Sequence, residues 1–126
     1  MKFKIKDPGS AITHFIGCIM AILAALPLLH KAAREPDSIY VIAMSIFILS
    51  MILLYAASTI YHTVDSTEKV NRRLRKIDHM MIFVLIAGSY TPVCLIILGG
   101  KLGYTLLAVV WTIAIVGMLI KMFWIT

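Results

Sequence analysis

We predict an all-α fold for this sequence, in the form of a polytopic membrane helix bundle, from its composition and its long apolar runs. Of its 126 residues, 61% are hydrophobic and 14% are charged, and the mean hydropathy is +0.96. A soluble domain of this size needs more polar residues to cover its surface, so a soluble all-helical core is the less favoured alternative. Four uncharged runs come close to or exceed the roughly 20 residues that span a bilayer, namely Ala11–Leu29, Ile39–His62, Met80–Gly100 and Leu102–Ile120.

Each run is predicted to be one transmembrane helix, because backbone groups inside lipid find hydrogen-bond partners only within the protein. The helices are expected over residues 11–30, 39–62, 79–99 and 102–122, within a single integral membrane domain covering residues 1–126. Asp7 or Ser10 can cap the first helix, and Pro8 fits its first turn if Asp7 is the cap. Residues 34–37, with the sequence Arg-Glu-Pro-Asp, form a polar turn that separates the first two helices.

The segment before the third helix contains a capping signal and an amphipathic pattern. Asp65 is followed three positions later by Glu68, which resembles a capping box. Apolar residues at helical spacing opposite basic ones predict a short helix lying on the membrane surface; these residues are Val70, Leu74 and Ile77. Further on, Pro92 is expected to kink the third helix, and residues 99–101 to form a tight hairpin. We interpret residues 89–92 as a helix-packing patch, with a substrate passage as the alternative.

The formal net charge of +6 is explained by membrane topology rather than by nucleic-acid binding. Only Lys31, Arg34 and Lys101 lie on one predicted side of the membrane. Eight cationic residues lie on the other, which are Lys2, Lys4, Lys6, Lys69, Arg72, Arg73, Arg75 and Lys76. By the positive-inside rule, this excess places the N-terminus in the cytoplasm. We therefore expect membrane lipids as partners and no nucleic acid. The basic segment before the third helix is either a topology anchor or a site for anionic lipid head groups.

Histidine, serine and aspartate side chains are predicted to gather at the cytoplasmic ends of the first three helices. Ser58 and His62 are four positions apart and share a helix face. Asp78 and His79 begin the third predicted helix at the same depth, and His14 begins the first. Polar and ionisable groups within lipid are costly, so this layer is a candidate functional site.

These residue types are suited to metal-assisted hydrolysis. Imidazole binds zinc, and a carboxylate can orient a ligand or a metal-bound water. The hydroxyl of Ser58 could polarise a substrate carbonyl or support a ligand. Two structural interpretations stay open beside this one. A histidine at a membrane interface is often a hydrogen-bonded structural residue, and Asp78 could cap the third helix and complement its dipole.

Four stretches, in this order along the chain, carry a resemblance to a known family. They are residues 7–14 (DPGSAITH), 58–62 (STIYH), 77–79 (IDH) and 87–92 (AGSYTP). The sequence resembles the haemolysin III family, the bacterial branch of the progestin and adipoQ receptor superfamily, which includes alkaline ceramidases. The resemblance implies seven transmembrane helices in an intact member. It also implies a zinc ion held by three histidines, with a serine, an aspartate and water nearby.

The resemblance assigns roles to three residues of this sequence. His62 resembles the zinc ligand at the end of the second helix, Ser58 the serine one turn before it, and Asp78 the third-helix aspartate near the metal-bound water. Family members supply two more histidines, at His-x-x-x-His spacing, from their last helix, and this sequence contains no such pair. We therefore expect a truncated N-terminal portion with an incomplete zinc site, for which His14 and His79 are lesser candidate ligands.

The implied function is zinc-dependent hydrolysis of a lipid-like amide or ester in the bacterial cytoplasmic (inner) membrane. His62 would bind the metal, Asp78 would steer the water and Ser58 would support the carbonyl. Whether this chain alone is an enzyme is left open, as is its oligomeric state. One alternative is a membrane-perturbing or pore-forming protein, although the four predicted helices lack the polar stripe of a pore wall. The other is a receptor or regulator in which zinc only clamps the fold.

Overall fold

The computed structural model describes residues 7–123, which form four long α-helices joined by short turns. Lys2, Lys4, Lys6 and the chain end at Thr126 lie outside this range. All four helices are long and apolar enough to cross a membrane, and no strand occurs within the described range. The predicted all-α membrane fold is therefore confirmed. The helices are α1 (Pro8–Ala33), α2 (Ile39–Thr63), α3 (Glu68–Pro92), which continues into a π-helical segment (Val93–Leu98), and α4 (Gly100–Phe123).

The four helices form an open layer in chain order rather than a closed bundle. Helix α1 packs against α2, α2 against α3, and α3 against α4. Over residues 7–123, no Cα atom of α1 lies within 8 Å of one in α3 or α4. Many large apolar side chains on the outer faces are exposed, as expected for surfaces that contact lipid tails. The start of α1, the end of α2 and the start of α3 consequently lie at the same end of the layer.

Helix α1 begins at Pro8 and ends before a polar turn. Pro8 suits the first helical position because its missing N–H would have no partner there. Asp7 occupies the N-cap position, but its carboxylate makes no capping hydrogen bond, so the predicted side-chain cap is wrong. The polar turn after α1 is confirmed. At its far end Asp37 Oδ1 accepts the backbone N–H of Ile39, 3.0 Å away, where α2 begins.

Helix α3 begins well before the predicted residue 79. It starts at Glu68, and Thr67 is its N-cap, with Oγ1 accepting the N–H of Val70 at 3.2 Å. The capping box based on Asp65 and the separate surface helix are therefore wrong. No glycine or proline interrupts residues 68–79, so the amphipathic segment and the apolar run form one helix. Asp78 lies inside this helix and cannot be its cap.

The far end of α3 is shaped by Pro92. Proline has no backbone N–H and disturbs the regular ladder, and the chain changes from α-helical to π-helical geometry at Val93. The predicted hairpin follows. Gly99 and Gly100 have φ angles of 62° and 55°, values in the left-handed region that glycine adopts most readily. Their conformation reverses the chain so that α4 packs back against α3.

Small residues and side-chain hydrogen bonds join α3 to its neighbours. A Cβ atom placed on Gly88 would lie 2.1 Å from the Ser50 hydroxyl oxygen of α2. On the other side, Trp111 Nε1 of α4 donates to Thr91 Oγ1 at 3.1 Å, and Thr91 is buried. Small residues and interhelical hydrogen bonds are the usual means of packing helices in lipid. This geometry agrees with the packing interpretation of residues 89–92.

Candidate functional site

An open cavity of about 250 Å³ lies where α1 begins and α2 ends. Four of the five predicted site residues line it, together with apolar side chains and the Tyr55 ring; the four are His14, Ser58, His62 and Asp78. They come from three helices, so the antiparallel order of α1, α2 and α3 brings them together. The cavity is therefore the candidate functional site.

His14 and Ser58 form one pair across the α1–α2 interface. His14 Nδ1 is hydrogen-bonded to Ser58 Oγ, and Ser58 is only 4% exposed. The His14 ring also packs edge-on against Tyr55 and His62, with centroid distances of 6.1 Å and 5.5 Å. Ser58 and His62 lie one turn apart on α2, so both reach the ring of His14, as their spacing of four predicts.

His62 is held at two points by Asp7, a residue that the sequence prediction did not place in the site. His62 Nδ1 lies 2.9 Å from Asp7 Oδ2, and the Asp7 N–H donates to the His62 carbonyl oxygen at 2.8 Å. An ionised carboxylate can only accept, so Nδ1 carries the shared proton. In the neutral ring, Nε2 then keeps its lone pair, the form in which histidine binds metals.

The only sequence signal for Asp7 was indirect. Asp7 opens the first stretch that carries the family resemblance, but its position before a helix favoured a capping interpretation. Because 55 positions separate it from His62, no helical spacing rule connects the two. Their contact depends on the antiparallel packing of α1 against α2.

Asp78 is the least satisfied polar group of the site. It is 9% exposed and lines the cavity from α3. Over residues 7–123, its carboxylate makes neither a hydrogen bond nor an ion pair with any side chain or backbone group. Its oxygens stay reachable from the open cavity, because no fully buried side-chain oxygen among the described residues lacks a hydrogen-bond partner. The carboxylate is therefore available to a ligand or a water in the cavity.

The remaining histidines lie elsewhere. His79 Nδ1 donates to the Arg75 carbonyl oxygen of its own helix at 2.7 Å, and His79 is not among the residues that line the cavity. It points away from Asp78 by about the 100° that separates adjacent helical residues. His30 lies near the opposite end of α1, as predicted.

The site matches part of a zinc ligand set. His62, with its Nδ1 bonded to a carboxylate, has the arrangement that zinc-ligating histidines usually show, and a second imidazole and a carboxylate line the same cavity. Catalytic zinc normally takes three protein ligands. Within the described part of the chain, no three His, Cys, Asp or Glu side chains are grouped to hold a metal ion. The ligand chemistry fits zinc, but the number of ligands is too small.

Comparison with known proteins assigns the chain to a family. The sequence profile described as "Haemolysin-III related" matches residues 3–126. The chain belongs to the haemolysin III family. This result confirms the resemblance inferred from the four stretches and, together with the four apolar helices, identifies a multi-pass membrane protein.

Two bacterial members of the haemolysin III family illustrate the match. The chain is 41% identical to "Hemolysin-3" of Bacillus cereus and 42% identical to "Hemolysin-3 homolog" of Bacillus subtilis (strain 168), each over 124 residues and 98% of this chain. It spans 56% and 58% of the lengths of these relatives. A more distant similarity, 29% over 87 residues, covers 68% of this chain and 20% of an "Adiponectin receptor protein" of Drosophila melanogaster. No solved structure matches the chain significantly.

Proposed function

We propose that this chain forms part of a zinc-dependent membrane hydrolase that cleaves a lipid-like amide or ester. The observation that carries the proposal is the nearly buried carboxylate of Asp78, which has no partner among the described residues and lines one cavity with two imidazoles and a hydroxyl. A group that transfers a proton in catalysis must be free to contact the reacting atoms. The cavity lies near one end of three membrane-spanning helices and is open, so a lipid of the bilayer can reach it.

His62 is the residue of this chain that would hold the metal, through Nε2. Asp7 would fix its ring and its tautomer, as carboxylates do for zinc-ligating histidines. The other ligands would come from outside residues 7–123, in agreement with the His-x-x-x-His pair that the family resemblance implies. When bound, zinc lowers the pKa of a coordinated water to about 7 and polarises a substrate carbonyl.

Asp78 would act as the proton carrier of the hydrolysis. In this scheme Asp78 accepts a proton from the attacking water as the new C–O bond forms at the carbonyl carbon. It returns the proton to the departing nitrogen or oxygen as the scissile bond breaks, so no other reactant is needed. In the His14 tautomer that carries its proton on Nδ1, that N–H donates to Ser58 Oγ, and the Ser58 hydroxyl proton is then free to bond the developing oxyanion.

The His14–Ser58 pair could also be considered as a base and a nucleophile, since the two groups are hydrogen-bonded. In such couples a third group normally orients the base. Here the carboxylate of Asp7 bonds His62 and not His14, and no described carboxylate bonds His14. The geometry therefore favours the supporting role for Ser58.

We also propose that the site faces the cytoplasm. The first turns of α3 contain five cationic residues, and within residues 7–123 only Lys31, Arg34 and Lys101 lie at the opposite end of the layer. The positive-inside rule places the more basic end in the cytoplasm. The substrate would accordingly be drawn from the inner leaflet of the bacterial cytoplasmic membrane.

The test compares the chain with a chimera in which it replaces the matching segment of the Bacillus cereus relative. Zinc content and hydrolysis of lipid amides and esters are measured for both proteins. The chimera is expected to retain about one zinc per molecule and to turn over substrate. His62→Ala should lose both properties, while His30→Ala, at the far end of α1, serves as the matched control and should lose neither.

Three outcomes would overturn the proposal. Zinc retained in full by His62→Ala would exclude His62 as a ligand. Zinc lost in His62→Ala, without turnover of any lipid amide or ester by the unmodified chimera, would indicate a structural clamp. Dye release from liposomes that is the same in His62→Ala would indicate a membrane-perturbing protein.

A further inference from the structure

A second cavity, of about 310 Å³, lies at the same end of the molecule, between the end of α2 and the start of α3. We call it the basic cavity. It is lined by Tyr61 of α2 and by four polar residues of α3. These four are Glu68, Asn71, Arg72 and Arg75. The hydrolytic site does not use these side chains, although the Tyr61 ring lies 4.8 Å from that of His62.

The length of α3 places the basic cavity at the level of lipid head groups. The uncharged part of this helix, from Met80 to Leu98, rises about 28 Å at 1.5 Å per residue, close to the roughly 30 Å thickness of the hydrocarbon. Arg75 lies five residues before Met80, about 7 Å beyond the hydrocarbon edge by the same rise. Tyrosine is common at this depth, and Tyr61 stands one residue before the end of the α2 apolar run.

The two arginines of the basic cavity are available to a ligand. The Arg75 side chain has no hydrogen-bond or ion-pair partner over residues 7–123. Among the described residues, Arg72 pairs only with Glu68, at 3.3 Å, and the two side chains are 48% and 90% exposed. Exposed pairs of this kind contribute little, so Arg72 can exchange its partner. By contrast, neighbouring Lys76 is engaged, because Nζ donates to the Met122 carbonyl oxygen at 3.1 Å.

Asn71 fixes the wall of the basic cavity. Its Oδ1 accepts the N–H of Ser66 at 3.0 Å, and its Nδ2 donates to Asp65 Oδ1 at 3.3 Å. These bonds tie the α2–α3 loop to the first turn of α3. The arginines therefore extend from a helix whose start is held in place.

We propose that the basic cavity binds the phosphate of an anionic phospholipid. Guanidinium groups match phosphate oxygens in two-point hydrogen bonds, and clusters of basic residues beside a transmembrane helix recognise anionic lipids. Arg75 supplies the main contact and Arg72 the second, displacing Glu68. A membrane lipid is favoured over a free phosphate because the cavity lies at head-group depth and exposed Val70 and Ile77 on the same segment can contact acyl chains. This proposal does not depend on hydrolysis at the first cavity.

The test titrates the purified chain, in a non-ionic detergent, with short-chain phosphatidylglycerol, phosphatidylcholine and inorganic phosphate, and native mass spectrometry counts the bound molecules. Arg75→Gln is expected to weaken phosphatidylglycerol binding by about tenfold or more, as expected for losing a hydrogen bond between charged groups. Arg73→Gln removes the same charge from the same helix outside the cavity, so it should change binding less than about twofold.

The outcomes separate the lipid site from its alternatives. If Arg73→Gln and Arg75→Gln weakened phosphatidylglycerol binding equally, the lipid would bind to a diffuse basic surface, and the proposed site in the basic cavity would be overturned. Inorganic phosphate binding as tightly as phosphatidylglycerol would overturn the lipid assignment, and equal binding of phosphatidylcholine would overturn recognition of net negative charge. Arg75→Lys keeps the charge and loses the planar fork, so intermediate binding by this folded variant would support the two-point contact.

Discussion

Two carboxylates of the candidate site stand in opposite environments. Asp7 is about half exposed and bonded to His62 through both its side chain and its backbone. Asp78 is nearly buried and has no partner among the residues that the structure describes. A paired carboxylate suits the orientation of a ring, whereas an unpaired one suits the transfer of a proton. These environments support the two roles proposed for Asp7 and Asp78, which the residue type alone cannot distinguish.

Asp7→Asn should weaken zinc binding without removing the ligand. The variant can keep the backbone hydrogen bond to His62. Its side-chain amide oxygen can still accept the Nδ1 proton, but it lacks the negative charge that strengthens this bond in the carboxylate. Loss of such an outer partner typically lowers metal affinity by about 10–100-fold. Zinc titration of the chimera measures the affinity, and Asp37→Asn, in the turn between α1 and α2 at the opposite end of the layer, is the control. Unchanged affinity in Asp7→Asn would show that Asp7 has no positioning role.

Asp78→Asn should abolish turnover and yet leave the fold at least as stable. The Asp78 carboxylate has no hydrogen-bond or ion-pair partner among the described residues, so its replacement by an amide of nearly the same size removes no protein contact. The thermal midpoint in detergent is therefore expected to stay or rise, while zinc content is retained. Glu35→Gln, in the exposed turn between α1 and α2, provides the comparison. A clear fall in the midpoint of Asp78→Asn would reveal a structural role for the carboxylate.

At the scale of helices, the sequence predicted the features that depend on hydrophobic periodicity and composition, namely the spans and the shared faces of helical residues. Uncharged runs identified all four spans, and the spacing of four between Ser58 and His62 placed both at the cavity. The start of α3 was missed because the low hydropathy of the charged segment 68–79 predicts a helix on the membrane surface. Its residues nevertheless favour a helix that continues into the apolar run. The Asp7–His62 contact was missed because only the packing of α1 on α2 creates it.

The hairpin between α3 and α4 depends on close backbone approach. A Cβ atom on Gly103 would lie 2.1 Å from the Cys94 carbonyl oxygen, and that oxygen also accepts the Gly99 N–H at 2.9 Å. A fixed carbonyl in the π-helical turn cannot move aside as a flexible side chain can. The glycine is therefore required by packing, since its own φ is not in the left-handed region.

Gly103→Ala should consequently destabilise the protein. Inserting a methyl group into packed backbone typically costs about 1–3 kcal/mol, and the thermal midpoint in detergent should fall accordingly. Gly9→Ala is the matched control, because nothing lies within 4 Å of an added Cβ there. Alanine at that helical position should be neutral or stabilising by up to about 1 kcal/mol. Equal midpoints for the two variants would contradict the close approach of α3 and α4.

At the scale of the whole molecule, the serial packing of the helices places two of the three chain reversals at the end opposite the cavities. The α1–α2 turn and the α3–α4 hairpin lie at one end of the layer, and both cavities lie at the other. The end with the cavities also has the greater number of basic residues. The proposed membrane orientation and the proposed phosphate site therefore depend on the same charge asymmetry.

Single-cysteine labelling tests that orientation. In a background where Cys18 and Cys94 are replaced by alanine, Ser38→Cys marks the exposed turn before α2 and Ser66→Cys the exposed loop after it. Helix α2 has 25 residues and rises about 38 Å, enough to separate the two positions across a bilayer. A membrane-impermeant maleimide should label Ser38→Cys on intact cells and Ser66→Cys only after lysis, because the basic end is retained in the cytoplasm. The reverse pattern would place both cavities outside the cell, and labelling of both positions from one side would show that α2 does not cross the membrane.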